Sequence, residues 1–209
     1  MNRATDAAPA PKGADPSGAP RLYASILDTI GDTPIVRLNS MARDCKAALY
    51  AKVEYFNPGG SVKDRIAVAI VAEAEAKGLL KAGGTIVEAT SGNTGAGLAM
   101  VAAVKGYRAI LCMPDKVSVE KINLLKAYGA EVVVTPTAVP PDSPDSYYEV
   151  ARRLAREIPG AYLANQYHNP TNPEAHYRTT GPEIWRQTGG RIDYFVASLG
   201  TGGTVSGTS

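Results

Sequence analysis

The amino-acid sequence predicts an α/β fold built on a parallel sheet. From Leu49 onward, short β-branched runs alternate with stretches of helical periodicity. They come one at a time rather than in blocks, which is the rhythm of βαβ units whose helices cover a sheet. Two segments that follow predicted strands, EATSGNTGAG and LGTGGTVSG, are rich in Gly, Ser and Thr. Such loops serve binding at the carboxyl ends of parallel strands.

In chain order, residues 1–20 contain twelve Ala, Pro or Gly and no periodic apolar face, so they are expected to form a disordered tail. LYAKVEYF reads as the first strand. SVKDRIAVAIVAEAEAKG reads as a helix with Ile66, Ala69, Ile70 and Ala74 on its buried stripe. Ser61 is a good N-cap there, and Asp64 three residues on resembles a capping box. The strand TIVEAT, a helix from about Gly95 and the strand AILCM follow. Next come a helix near Ser118 to Tyr128, the strand EVVVT, and a helix near Ser146 to Glu157. Another helix is predicted near Asn172 to Gln187, and then the strand DYFVASL. The stretch TPTAVPPDSPDS interrupts this rhythm and reads as a long loop at a domain seam or mobile flap, with Tyr147 and Tyr148 packing on or beside it.

Composition narrows the function. The 209 residues include 22 Lys+Arg against 20 Asp+Glu, a net charge of +2 with no basic stripe for nucleic acid. Leu98 to Val104, an apolar run that no other in the chain exceeds, is far short of the roughly 18 residues of a membrane span. The N-terminal residues lack the apolar stretch of a secretory signal, so a cytoplasmic protein is expected. Cys45 and Cys112 cannot form a disulfide framework or a close zinc pair. His168 and His176 have no Cys or carboxylate at ligand spacing, so no metal site is expected and both read as surface or loop histidines. There is no Gly-x-Ser-x-Gly elbow.

Three segments carry chemistry. In NPGGSVKDRI, Lys63 falls in the first turn of a helix, where the macrodipole disfavours a cation and favours the neutral amine that attacks a carbonyl. Lys63 is therefore a candidate Schiff-base lysine, and the alternative is a side chain that extends into water. In EATSGNTGAG, hydroxyls and helix-start amides converge and can receive a carboxylate or phosphate; the alternative is an ordinary strand-to-helix turn. In LGTGGTVSG, Gly200, Gly202 and Gly203 allow close backbone approach to a phosphate, although a plain turn has the same composition. Val205 stands where a dinucleotide fingerprint has its third glycine, and the Gly-Lys-Ser/Thr ending of a nucleoside-triphosphate loop is missing. An attacking lysine, a hydroxyl-rich loop and a glycine-rich loop, in that order, suit pyridoxal phosphate chemistry on an amino acid.

With IGDTPIVRLN, NPGGSVKDR, EATSGNTGAGLA and GTGGT in sequence, the chain resembles the β-family of pyridoxal-phosphate enzymes over nearly all of Leu22 to Gly207. The resemblance implies the tryptophan-synthase-β-like fold (fold type II): two parallel-sheet α/β domains. Residues 47–159 would form the smaller mobile domain, and 21–46 with 160–209 part of the larger, incomplete one. PDKVSVEKINLLKAYGAEVVVTPT, DSPDSYYEVARRL and NQYHNPTNPEAHYRTTGPEIW resemble the bacterial cystathionine β-synthase branch more than the O-acetylserine sulfhydrylases.

That resemblance makes Lys63 the lysine that carries the cofactor and moves the substrate Cα proton. It assigns Asn93 to the pyridine 3′-oxygen and Gly200, Thr201, Gly202, Gly203 and Thr204 to the cofactor phosphate. Thr90, Ser91, Thr94 and Gln166 would hold the substrate carboxylate, with Tyr167 nearby. The implied reaction replaces the hydroxyl of L-serine with the thiol of L-homocysteine to give L-cystathionine, in a cytoplasmic homodimer. The alternatives are cysteine synthase acting on O-acetylserine with sulfide, a serine or threonine dehydratase, and a non-catalytic fragment. Family members continue past the glycine loop to a Ser or Thr that partners the pyridine nitrogen, so a C-terminally truncated chain, unstable or inactive by itself, is expected. Neither the Cys and His of a haem-binding N-terminal segment nor an adenosylmethionine-sensing module has a counterpart, and haem is not expected.

Overall fold

The structure is a computed structural model that describes residues 22–209; the expected tail, residues 1–20, lies outside the described residues. Its centre is a four-stranded parallel sheet of β3 (Thr85–Ala89), β4 (Arg108–Pro114), β5 (Glu131–Thr135) and β6 (Tyr162–Leu163). The spatial order is β5-β4-β3-β6, with Val87 level with both Ile110 and Leu163. All five residues of β3 are buried, as in a strand covered on both faces.

Helices α1 (Lys63–Ala76), α2 (Asn93–Lys105) and α3 (Val119–Ala127) contribute to one apolar layer. Ile66, Ile70, Leu98, Val101 and Leu125 there meet Ile86, Leu111 and Met113 of the sheet. Helix α4 (Tyr147–Glu157) covers the opposite face, placing Val150 and Ala151 on Val87, Ala89, Ile110 and Cys112. Burial raises the Cys112 thiol to about 12, so it packs as an inert apolar group.

LYAKVEYF does not join the parallel sheet. Its strand is β2 (Tyr50–Lys52), paired antiparallel with β1 (Ile35–Arg37), before a 3₁₀ turn at Glu54–Phe56. DYFVASL also departs from expectation: no strand forms over residues 193–199. A ladder needs a neighbour, and none of the described strands pairs with this segment, whose Tyr194, Val196 and Leu199 side chains are exposed.

The helix expected over Asn172 to Gln187 is divided into α5 (Thr171–Ala175), a π-helical turn at His176–Thr180, and α6 (Gly181–Thr188). A short α7 (Gly203–Thr208) follows the glycine-rich loop and packs on α5. Gly207 makes that contact possible, because a Cβ there would lie 2.1 Å from the Pro173 carbonyl oxygen.

A buried ion network ties these parts together. Arg65, two residues after Lys63, meets Glu54 at 2.8 Å and Glu183 at 2.8 Å. Lys52 also pairs with Glu183. Burial pushes the Glu183 carboxyl up, but hydrogen bonds from Arg65 and Lys52 outweigh it and hold the group at about 2. The start of α1 is thereby clamped to β2 and α6.

Candidate active site

The sheet order places a crevice where the site is found. From β3 the chain passes through α2 to β4 on one side, whereas β6 enters on the other side of β3 after α4 has crossed the opposite face. Strand order reverses at β3, and ligands of open parallel sheets bind outside the carboxyl ends at such a point. The loop after β3 and the turn after β6 meet there. A cavity of about 300 Å³ is lined by Lys63, Thr90, Ser91, Asn93, Thr94, Gln166, Gly200 and Thr201 among others.

Lys63 begins α1. Ser61 Oγ accepts the Lys63 backbone N–H at 3.1 Å, and Asp64 reaches back to the Gly59 N–H at 2.6 Å. A Cβ at Gly59 would lie 2.4 Å from Asp64 Oδ1, so this turn needs a glycine. Burial pushes the Lys63 amine below its ordinary range, and Nζ makes no hydrogen bond or ion pair among the described residues. An amine of this kind has a larger neutral, nucleophilic fraction than a surface lysine.

The hydroxyl-rich loop is tightly ordered. Thr90 is buried and its Oγ1 accepts the N–H groups of Gly92 at 3.2 Å and Gly95 at 3.3 Å. A Cβ on Gly95 would approach Thr90 Cγ2 to 2.6 Å, so glycine permits this close turn. Thr94 Oγ1 donates to Gln166 Oε1 at 2.6 Å and links the β3 loop to the β6 turn. Ser91 and Asn93 are exposed at the cavity wall.

Beneath Gln166 lies Glu88, with Oε2 unpartnered and Oε1 accepting the Gln166 N–H at 3.4 Å. Desolvation raises the carboxyl to about 7, against the opposing hydrogen bonds of Gln166 and Asn165.

Of the glycine-rich loop, Gly200 and Thr201 line the cavity, whereas Gly202, Gly203 and Thr204 lie beside it at the start of α7. Gly202 has a left-handed backbone, φ 83°, which suits glycine. Gly203 presses on Asn172, and a Cβ there would be 2.0 Å from Asn172 Oδ1. Asn172 Nδ2 in turn donates to Thr201 Oγ1 at 2.9 Å. Thr204 Oγ1 meets Nε2 of His176 at 3.2 Å.

Sequence reasoning missed three contributors. Lys121, from the first turn of α3, adds a second cation to the cavity, and Tyr147 adds a phenol from the start of α4. No local pattern sets Lys121 apart from any other helix lysine. His176 is the third: it is fully buried rather than at the surface. The π-helical turn carries its side chain inward, where Thr180 and Thr204 satisfy both ring nitrogens.

A family model described as "Pyridoxal-phosphate dependent enzyme" matches residues 26–209. The chain belongs to that family.

Among curated relatives, cystathionine beta-synthase of Oryctolagus cuniculus is 53% identical over 191 residues, covering 90% of this chain and 35% of the relative. A probable cysteine synthase of Bacillus subtilis (strain 168) is 52% identical over 191 residues, covering 90% of this chain and 60% of the relative. A crystal structure of O-ureido-L-serine synthase superposes with a TM-score of 0.83 at 51% identity, covering 90% of this chain and 58% of that one. The chain thus spans about a third of the rabbit relative's length and a little over half that of the synthase structure.

The residues present fit the cofactor of this family. A half-buried amine without a partner suits an aldehyde. Gly200 has open space where a Cβ would stand, beside the Thr201 hydroxyl, so an anion can approach the backbone there.

Proposed function

We propose that the site serves β-replacement on an amino acid, exchanging the hydroxyl of L-serine for the thiol of L-homocysteine to give L-cystathionine and water. The observation that supports it most is the unpartnered Lys63 amine in one cavity with the Thr90–Thr94 loop, Gln166 and the Gly200–Thr201 turn. Bound pyridoxal phosphate supplies an aldehyde for amines and a ring that stabilises negative charge at Cα.

The chain's own residues do the rest. Thr90, Ser91, Thr94 and Gln166 hold the amino-acid carboxylate, so that the Cα–H bond stays in one orientation. Lys63 Nζ, kept partly neutral by burial, takes the Cα proton and later returns it. Asn93 would hydrogen-bond the 3′-oxygen of the cofactor, and the Gly200–Thr204 segment would hold its phosphate with backbone N–H groups and the hydroxyls of Thr201 and Thr204. The same reading divides the chain into a smaller mobile domain, 47–159, and a part of the larger one, 21–46 with 160–209. Pairing of β6 with β3 adds Tyr162 and Leu163 to the sheet of the first. It also takes the enzyme to be a cytoplasmic homodimer.

Cysteine synthase activity is the second reading, supported by the Bacillus relative described as a probable cysteine synthase, which is 52% identical over 191 residues. The test is to incubate the purified chain with pyridoxal phosphate, reduce it with borohydride and map the peptides. A pyridoxyl label on Lys63, lost in Lys63→Ala, is expected; a label elsewhere overturns the assignment. Serine with homocysteine, given to the full-length protein, should then yield cystathionine. Turnover confined to O-acetylserine with sulfide would move the reaction to cysteine formation.

A further inference from the structure

We infer that His176 is a positioning residue for cofactor-phosphate binding: it turns the Thr204 hydroxyl so that its proton is offered to the phosphate. The inference rests on the reading above that Thr204 faces that group. Three observations carry it.

His176 is fully buried. Its Nδ1 lies 2.9 Å from Thr180 Oγ1 and its Nε2 lies 3.2 Å from Thr204 Oγ1. Finally, His176 opens a π-helical turn, and this rare geometry is concentrated at functional sites. The turn also brings Thr180 into line with Nδ1, four residues on.

A neutral imidazole has one N–H and one lone pair, so the two hydroxyls cannot have the same role. Burial, with Lys63 and Arg65 nearby, lowers His176 to about 4 and keeps the ring neutral over the physiological range. Two proton arrangements satisfy the chain Thr180–His176–Thr204. In one, Thr204 gives its proton to Nε2 and has none left for a ligand. In the other, Thr180 donates to Nδ1, the Nε2–H donates to Thr204 Oγ1, and the Thr204 proton points outward.

A phosphate oxygen accepts hydrogen bonds and does not donate them when fully ionised, so it selects the second arrangement. The imidazole is then a neutral relay that leaves a donor at the loop without adding a further positive charge near Lys63. Gly207 allows the ring this close to α7, because a Cβ there would lie 2.8 Å from His176 Cβ.

The test measures the dissociation constants of pyridoxal phosphate and of pyridoxal, which lacks the phosphate, for the unsubstituted chain and four variants. Thr204→Ala should weaken pyridoxal phosphate about tenfold, the scale of one hydrogen bond to a charged group, and leave pyridoxal unchanged. His176→Leu should do the same, and the double variant should be no weaker than either single one. His176→Gln, whose amide N–H can replace the Nε2 donor, should recover most of the loss.

If Thr204→Ala has no effect, or the unsubstituted chain binds no pyridoxal phosphate, the phosphate reading falls and the inference with it. If Thr204→Ala weakens binding but His176→Leu does not, the inference alone falls. Equal losses for pyridoxal and its phosphate in His176→Leu, or additive losses in the double variant, also overturn it. Should His176→Leu not fold, His176→Asn replaces it. Asn offers no donor at the Nε2 position, so it must show the same phosphate-specific loss without the recovery seen with Gln.

Discussion

Glu88 shows how much one side chain can set the pH response of this protein. Its carboxyl is raised from 4.5 to about 7, chiefly by desolvation inside β3. The folded state therefore keeps a proton that the unfolded chain has released between those values. The group's contribution to stability is fully present below its unfolded pKa and is lost as pH rises through 7. His176, lowered to about 4 by burial, acts in the opposite sense: stability falls as pH drops below about 6.5 towards 4. Glu88→Gln keeps a neutral amide at the site. We predict that it matches the parent at pH 4 and exceeds it by about 3 kcal/mol at pH 8 in urea unfolding. A constant difference across that range would contradict the assignment. Neither burial was legible in the sequence. TIVEAT gave Glu88 no mark beyond its place in a strand, and His176 read as a surface or loop histidine, whereas the π-helical turn, packed on α7, carries it inward. The helix start at Lys63, in contrast, was legible from the Pro-Gly-Gly turn before it.

At the level of elements, the contact between α1 and α2 sets where Lys63 sits. A Cβ at Gly97 would lie 2.9 Å from Ala67 Cβ and 3.3 Å from the Lys63 carbonyl oxygen. Gly97→Ala must therefore separate the two helices, and it should lower stability by about 2 kcal/mol despite the better helix propensity of alanine. Chemical denaturation measures this, and an unchanged midpoint would show that the helices part without cost. The strands β3, β4 and β5 were predicted closely because each is a run of apolar or β-branched residues set off by turn signals, although β3 and β4 are buried and β5 is mostly half-buried or exposed. β6 has two residues and no detectable period, so only its pairing with β3 reveals it. LYAKVEYF had the right composition for a strand, but composition does not choose a partner. The predicted helix over Asn172 to Gln187 followed a continuous helical pattern, whereas the widened turn at His176–Thr180 arises from contacts across α7.

Over the whole molecule, apolar side chains are unevenly covered. Tyr194 and Val196 are 88% and 91% exposed on the segment that forms no strand. Trp185 and Tyr177 are also exposed on the nearby α6 and π-helical turn. Exposed apolar surface promotes association. We expect sedimentation to show concentration-dependent association and an apolar dye to bind the chain, with both effects reduced in Val196→Asp. Unchanged association in that variant would remove the segment from the contact. The α/β class and the order of the three chemical loops were readable because each is local in the chain. The reversal of strand order at β3 was not, since it depends on the route taken after β5.

The extended stretch before Gly200 lends no ladder to the turn it delivers. What secures that turn comes from α5 and the π-helical turn, through Asn172 on Thr201 and His176 on Thr204. It is moored at one end, like a boat on a single line. Slack in α5 or the widened turn would therefore reach Gly200 and Thr201 undamped, although neither element borders the cavity.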